Sequence, residues 1–309
     1  KEAIKALDQA GVDRETRKKV LFPEDSLEGI YQNLREAAEV YRTGGGVGTD
    51  LSVLRPKGAY VNATMDNSPG VTAFMNMFSE STETVAQQGR RGALMLTLRV
   101  NHPDVEDFIT IKNDPKRSKV KHANISVLVD HEFMEAVANN KDYTLWLENE
   151  DPDSDIYGER IEKVVNARNL WRKMIESAHA SAEPGIIFWD TMKDFHNGEY
   201  AAPLTSTNPC GEQPLASYTA CNLGNLNLHR FVKSDGSFDY EDLVVSTMVA
   251  TRFLDDVILY NHPNHALTKI QRAVADDRRT GLGITGLGDA LVAMKIKYDS
   301  DEGLKATEK

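Results

Sequence analysis

The sequence predicts an α/β protein with many crossovers. Three observations predict it. Short apolar runs of the buried-strand type recur along the chain, segments with a 3.6-residue apolar period lie between them, and no internal repeat or low-complexity run breaks the alternation. At 309 residues the chain suits two domains of ~100–200 residues or one large α/β unit.

Lys1 to Val20 is charged and weakly periodic through Ile4, Leu7 and Val12, and reads as a peripheral helix or ragged end. Asp25-Ser26-Leu27-Glu28 reads as a helix start with Asp25 as N-cap. Leu27, Ile30, Leu34 and Ala37 then give one apolar face up to about Tyr41, where Thr43-Gly44-Gly45-Gly46 stops the helix. Val47 to Leu54 is a loop or short strand, Arg55-Pro56-Lys57-Gly58 a basic turn. Val71, Phe74, Met75, Phe78 and Val85 mark a second helix.

Ala93 to Val100 is a mostly apolar strand, and His102-Pro103-Asp104 starts a helix through Phe108 and Ile111, with Pro103 suited to the first helical position. The alternation goes on with a strand at Asn124 to Val129, a helix at Glu132 to Ala138 and a strand at Tyr143 to Leu147. After an acidic surface loop at Asn149 to Asp155 come a helix at Asn166 to Ala180 and a buried-type strand at Gly185 to Trp189. Cys221 to Leu228 alternates as a strand, and helices follow at Tyr240 to about Tyr260 and near His265 to Ala275.

A net charge of −11 argues against non-specific attraction to nucleic acid or anionic membrane. No apolar run approaches the ~20 residues that span a bilayer, and the N-terminal stretch has no signal-peptide core. Cys210 and Cys221 are the two cysteines, too few for a secreted disulfide framework, so a cytoplasmic setting with reduced thiols is expected.

The chemistry centres on Asn208-Pro209-Cys210-Gly211-Glu212. Pro209 removes a donor and restricts Asn208 to extended conformations, while Gly211 frees the backbone beyond the cysteine. A carboxamide, a thiol and a carboxylate thus occupy alternate positions of a loop and can converge where the chain is extended. A carboxylate beside a thiol opposes thiolate formation, which argues against a protease-like nucleophile. A metal ligand, a structural thiol, or a sulfur used for something other than ionic attack remain.

Other motifs have bland readings. Gly281-Leu282-Gly283-Ile284-Thr285-Gly286 spells a dinucleotide fingerprint, but follows a helical stretch and lacks the preceding strand, so it reads as helix packing. The eight histidines show no metal-binding spacing, so no metal site is expected. By themselves Asp25 is an N-cap, Arg55 a turn residue, Cys221 a small buried residue, and Arg90-Arg91 a solvated turn or an anion clamp.

Taken together, these segments resemble a family. Thr207-Asn208-Pro209-Cys210-Gly211-Glu212-Gln213-Pro214-Leu215, followed by Ala220-Cys221-Asn222-Leu223-Gly224, is similar to the active-site segment of ribonucleotide reductase large subunits, with wording closest to the adenosylcobalamin-dependent class II. Glu24 to Ile30, Thr43 to Gly48, Ser52 to Gly58 and Gln87 to Gly92 resemble that family's segments in the same order, and the likeness runs from about Pro23 to Tyr298.

The resemblance implies part of a ten-stranded α/β barrel with the reactive cysteine on a central finger loop. It divides the chain into residues 1–22, which do not match, and a partial barrel domain at 23–309, with an effector-site part at about 23–112 and an active-site loop at about 201–228. It implies that Cys210 becomes a thiyl radical that abstracts the ribose 3′ hydrogen. A radical sulfur need not be a thiolate, so the neighbouring carboxylate is no handicap. Glu212 is implied as general base for the 3′ hydroxyl, Asn208 as the group that positions ribose and carboxylate, and Cys221 as one member of the reducing pair.

The same resemblance implies an effector site for ATP or a deoxynucleotide at Asp25 and Arg55, and a relay loop at Gln87 to Gly92 in which Arg91 matches. Pro56 to Asn67 would be the first effector loop. Gly45 and Gly46 match backbone that lines the substrate pocket, and helices Leu27 to Tyr41 and Val71 to Ala86 would pack across a homodimer. Adenosylcobalamin is the implied radical source, with a metal-containing partner subunit as the alternative and a thioredoxin- or glutaredoxin-type protein as reductant. The second reducing cysteine is missing from Arg14 to Phe22, and the sequence stops soon after Tyr298, so a fragment that turns over poorly by itself is expected. The competing expectations are a non-catalytic nucleotide-binding module that keeps the effector site, and a thiol hydrolase, for which nothing near Cys210 supplies an imidazole base.

Overall fold

The computed structural model describes residues 25–61, 65–85, 92–114, 116, 118–148, 158 and 160–309. It divides into two units, Lys1–Ser217 and Tyr218–Lys309. The expected helix at Lys1 to Val20, the loop at Asn149 to Asp155 and Arg91 lie outside the described residues.

The first unit is built on a four-stranded parallel sheet in the order β1 (Gly46–Asp50), β4 (Ala93–Arg99), β5 (Asn124–Val129) and β8 (Gly185–Phe188). Between β1 and β4 the chain makes a small antiparallel pair, β2 (Tyr60–Val61) with β3 (Asp66–Asn67). Another antiparallel pair, β6 (Asp142–Glu148) with β7 (Arg160–Asn166), stands between β5 and β8 in the chain. β7 is a strand that the sequence reading missed.

The two faces of the parallel sheet differ in chemistry. Leu94, Leu96 and Leu98 of β4 and Ile125, Val127 and Val129 of β5 point one way, and all six are nearly inaccessible. They share one core with Ile30 and Tyr41 of helix Leu27–Arg42, Met75 and Phe78 of helix Val71–Thr84, Phe108 of helix Val105–Thr110, Phe133 of helix His131–Ala138, and Leu170 and Met174 of helix Ala167–Ser181. Each such side chain stabilises the fold by about 1.5–3 kcal/mol on burial. The residues in between, Gly46, Gly48, Met95, Thr97, Asn124 and Ser126, line the other face in mutual register. On that side a smaller cluster joins Leu128, Ile187 and Trp189 to Leu204.

Two helix starts differ from the sequence reading. Ser26, not Asp25, is the N-cap of helix Leu27–Arg42 and accepts from the Gly29 amide at 3.0 Å. Asp25 is drawn instead to Arg55, whose guanidinium outbids the orphan amides of a helix end. The helix after β4 begins at Val105 behind Asp104, so Pro103 sits in the preceding turn. There Asp104 has another task. Its carboxylate accepts from the Val71 amide at 3.0 Å and from the Lys57 amide at 3.1 Å, which places a negative charge at the start of helix Val71–Thr84.

In the second unit β11 (Asn222–Asn227) pairs in parallel with β12 (Thr280–Thr285), and helices Tyr240–Asn261 and Thr268–Asp277 connect them. Of the fingerprint-like glycines, Gly281 and Gly283 therefore lie in a strand, and Gly286 follows it at the N-cap of helix Leu287–Ala293. A β-carbon on Gly283 would crowd Asn225 Oδ1 at 2.6 Å, and Gly286, at φ +71°, lies against Asn227 in the same way. The spacing serves close strand pairing. Among the described residues no helix is long and apolar enough to cross a membrane.

Candidate active site

The segment before the cysteine is a strand, although its sequence has neither helical nor alternating apolar period. β9 (Leu204–Thr207) runs antiparallel to β10 (Pro214–Ala216), with Thr207 opposite Pro214 and Ser206 opposite Leu215. Residues 208–213 make the turn of this hairpin. The Asn208 amide donates to the Gln213 carbonyl at 3.0 Å, and the Gln213 amide donates back to Asn208 Oδ1 at 3.0 Å. The Gly211 amide donates to the Asn208 carbonyl at 3.1 Å, with Gly211 at φ +87°, a conformation that glycine takes without steric cost. Asn208, Cys210 and Glu212 are thus not spaced along an extended strand as the alternate-position argument required; they surround a tight turn. Cys210 and Glu212 are both exposed at its tip.

The hairpin lies on the small and polar face of the parallel sheet. A β-carbon on Gly48 would overlap the Thr207 carbonyl oxygen, and one on Gly46 would overlap the Pro209 ring. Both positions admit only glycine at this approach. Asn124 Nδ2 donates to the Pro209 carbonyl at 2.8 Å, and the buried hydroxyls of Thr97 and Ser206 lie 3.1 Å apart. The Met95 methyl comes 3.7 Å from where Gly211 would carry a β-carbon. Gly46, expected at the substrate pocket, thus seats the cysteine loop, whereas Gly45 packs against Val40 at the end of the preceding helix.

Beneath the hairpin, Asp50 Oδ1 accepts from Ser52 Oγ at 2.6 Å and from Thr97 Oγ1 at 3.2 Å. Desolvation pushes its carboxyl above the ordinary value, opposed by Arg99 and by the Ser52 and Thr97 hydrogen bonds. Sequence reasoning passed over Asp50, Met95, Thr97, Asn124 and Ser206. The signal was present: Asn124, Ser126 and Thr97 are the polar residues at every second place in otherwise apolar strands.

At another place in the first unit, Asp25 Oδ2 accepts from Arg55 Nε at 2.7 Å, with both side chains largely buried. Asp25 Oδ1 accepts from the Arg55 amide at 3.1 Å, and Arg55 also donates to the carbonyls of Asp25 and Tyr60. The two residues expected to share an effector are therefore brought together. Cys221 stands in the second unit just before β11, half-buried, with Sγ 3.7 Å from the Asn222 carbonyl. No group of three or more His, Cys, Asp and Glu that could hold a metal ion occurs among the described residues.

The comparisons with known proteins agree with one another. The chain is 37% identical over 290 residues to a vitamin B12-dependent ribonucleoside-diphosphate reductase of Thermoplasma acidophilum, a match covering 92% of this chain and 36% of that protein. A vitamin B12-dependent ribonucleoside-diphosphate reductase of Mycobacterium tuberculosis is 38% identical over 291 residues, 93% of this chain and 40% of that protein. The ribonucleoside-diphosphate reductase large chain of Neurospora crassa is 28% identical over 307 residues, 91% of this chain and 33% of that protein. The chain thus spans between a third and two fifths of the length of these relatives. The family described as ribonucleotide reductase, barrel domain, matches residues 19–309, and the chain, with its parallel α/β sheet and its cysteine hairpin, belongs to that family.

Proposed function

We propose that this chain is the part of a ribonucleotide reductase that carries the thiyl radical, and that Cys210 is its site. One observation carries the reading: an exposed thiol at the tip of a hairpin whose approach to the sheet is fixed by Gly46 and Gly48. Cys210 gives up its hydrogen atom to an external radical, and its sulfur then takes the 3′ hydrogen of a bound ribonucleotide. Glu212, exposed on the same turn, accepts the proton of the 3′ hydroxyl. The Oδ1 of Asn208 is used in the turn, which leaves its amide nitrogen to hold the ribose or the carboxylate. The 2′ hydroxyl leaves as water, and the two electrons come from a cysteine pair that closes to a disulfide, with Cys221 as one member.

The names of the bacterial and archaeal relatives point to adenosylcobalamin as the radical source; a metal-bearing partner subunit is the alternative. When bound, the cofactor would supply the radical to which the Cys210 thiol gives up its hydrogen atom. An exposed sulfur fits that requirement.

Asp25 and Arg55 form the effector site for ATP or a deoxynucleotide, the carboxylate for a ribose hydroxyl and the guanidinium for phosphate, with Arg91 on the relay loop. A cytoplasmic homodimer re-reduced by a thioredoxin- or glutaredoxin-type protein completes the proposal. The test is ribonucleotide reduction by the full-length protein with adenosylcobalamin and a dithiol. The expected result is deoxynucleotide formation that is lost in Cys210→Ser and in Glu212→Gln. Turnover that persists in Cys210→Ser would overturn the reading.

A further inference from the structure

The Asp50 carboxylate lies at the meeting point of three segments. Its Oδ1 accepts from the Ser52 amide at 3.3 Å, the Ser52 hydroxyl at 2.6 Å and the Thr97 hydroxyl at 3.2 Å. Ser52 Oγ in turn accepts from the Arg99 amide at 2.8 Å, which ties the turn after β1 to β4. Thr97 reaches the Ser206 hydroxyl across a fully buried contact of 3.1 Å, and Ser206 is two residues before Asn208. The glycines let the hairpin come close, but a surface without side chains fixes distance and not register. Polar contacts fix register, the Asn124–Pro209 bond at the turn and the Thr97–Ser206 hydroxyl pair at the strand before it, and Asp50 orients the Thr97 hydroxyl by accepting from it at Oδ1.

We propose that Asp50 is a positioning residue for Cys210: by holding the Thr97 hydroxyl it locks Ser206, and with it the cysteine turn, in one register on the sheet. This rests on the reading of the hairpin as the catalytic loop, yet its structural half can be measured without turnover. All three bonds end on the same oxygen, so Asp50→Asn, which keeps an oxygen there, keeps the lock. Asp50→Leu and Thr97→Val break it.

The experiment is amide hydrogen exchange on the chain, read at Asn208, Gly211 and Gln213, with the β6–β7 amides as internal control. Loss of a buried hydrogen bond is expected to speed exchange in the hairpin by about tenfold in Asp50→Leu and in Thr97→Val. Asp50→Asn should match the parent, and β6–β7 should not change in any variant. Should Asp50→Leu fail to fold, Thr97→Val, which keeps the side-chain shape, decides the matter. Unchanged hairpin exchange in Thr97→Val, or Asp50→Asn as disruptive as Asp50→Leu, overturns the proposal.

In the full-length protein, the broken variants should lose about tenfold in kcat with KM little changed, and Asp50→Asn should restore it. A loosened hairpin in a protein without Cys210-dependent reduction would sink the catalytic reading and leave the lock standing. Turnover with a hairpin that Thr97→Val does not loosen would do the reverse.

Discussion

Gly48 lies so close to Thr207 that a β-carbon on it would overlap the Thr207 carbonyl oxygen and stand 3.2 Å from the Ser206 hydroxyl. The obstacle is main chain and cannot rotate away, so Gly48→Ala has to lift the hairpin from the sheet. A destabilisation of about 1–3 kcal/mol is expected in a urea titration. Gly288, where a β-carbon meets nothing within 4 Å and the backbone is helical, is the control. Gly288→Ala should be neutral or stabilising by up to ~1 kcal/mol.

The Asp25–Arg55 pair gives a second prediction. Its side chains are only 8% and 12% exposed. Removal of the arginine leaves a buried carboxylate without its main counter-charge, so Arg55→Ala should cost about 3–5 kcal/mol in the same titration. Arg55→Lys should recover little of this, because a lysine cannot supply the several guanidinium bonds at once. Deoxynucleotide binding, followed by calorimetry, should be lost in Arg55→Ala and kept in Cys210→Ala.

His102 sets a pH dependence. It is 1% exposed, its Nε2 lies 2.8 Å from the Leu54 carbonyl, and its Nδ1 accepts from the Asp104 amide at 3.0 Å. Burial holds its pKa below the ordinary 6.5, against the Leu54 bond and the charges of Asp104, Asp50 and Asp25. The unfolded chain therefore takes up this proton first as pH falls. The stabilising contribution is present above pH 6.5 and is lost as pH falls through the lower folded value. Unfolding titrations below pH 6.5 should show a shallower slope in His102→Gln, whose side chain does not titrate in this range.

The two thiols should differ in accessibility. Cys210 is exposed and Cys221 is half-buried, so iodoacetamide followed by peptide mass analysis should label Cys210 first. Comparable labelling of both at early times would contradict the arrangement of the hairpin.

Much of the fold could be read from local pattern. The strand at Asn124–Val129 and the helices near Leu27 and Val71 follow from apolar period, because each packs one regular face on the core, whereas the helix at Tyr240–Asn261 was legible although only Leu254 and Ile258 of it are buried. β9 and β10 could not be read in this way. They have no regular apolar face: Leu204 joins a small cluster, but the other partners are glycine backbone and the hydroxyl of Thr97, which lies over a hundred residues earlier. The cysteine turn was legible as composition, whereas its seat was not, since the glycines from Gly44 to Gly48 read equally as a helix terminator and as backbone open to a ligand until the hairpin is seen to lie on Gly46 and Gly48. Asp25 was misread as a cap because a short local contact was the only partner visible without the fold.

That seat has a consequence for how the site can change. Where the two main chains touch, at Gly48 and Thr207, no side-chain exchange can retune the gap: every mutation at Gly48 adds atoms and pushes the loop outward, whereas at Gly46 the contact is the Pro209 ring. The height of the cysteine turn above the sheet at Gly48 is therefore a constant of the backbone, and variation in the chemistry of the turn has to come from the residues around its rim.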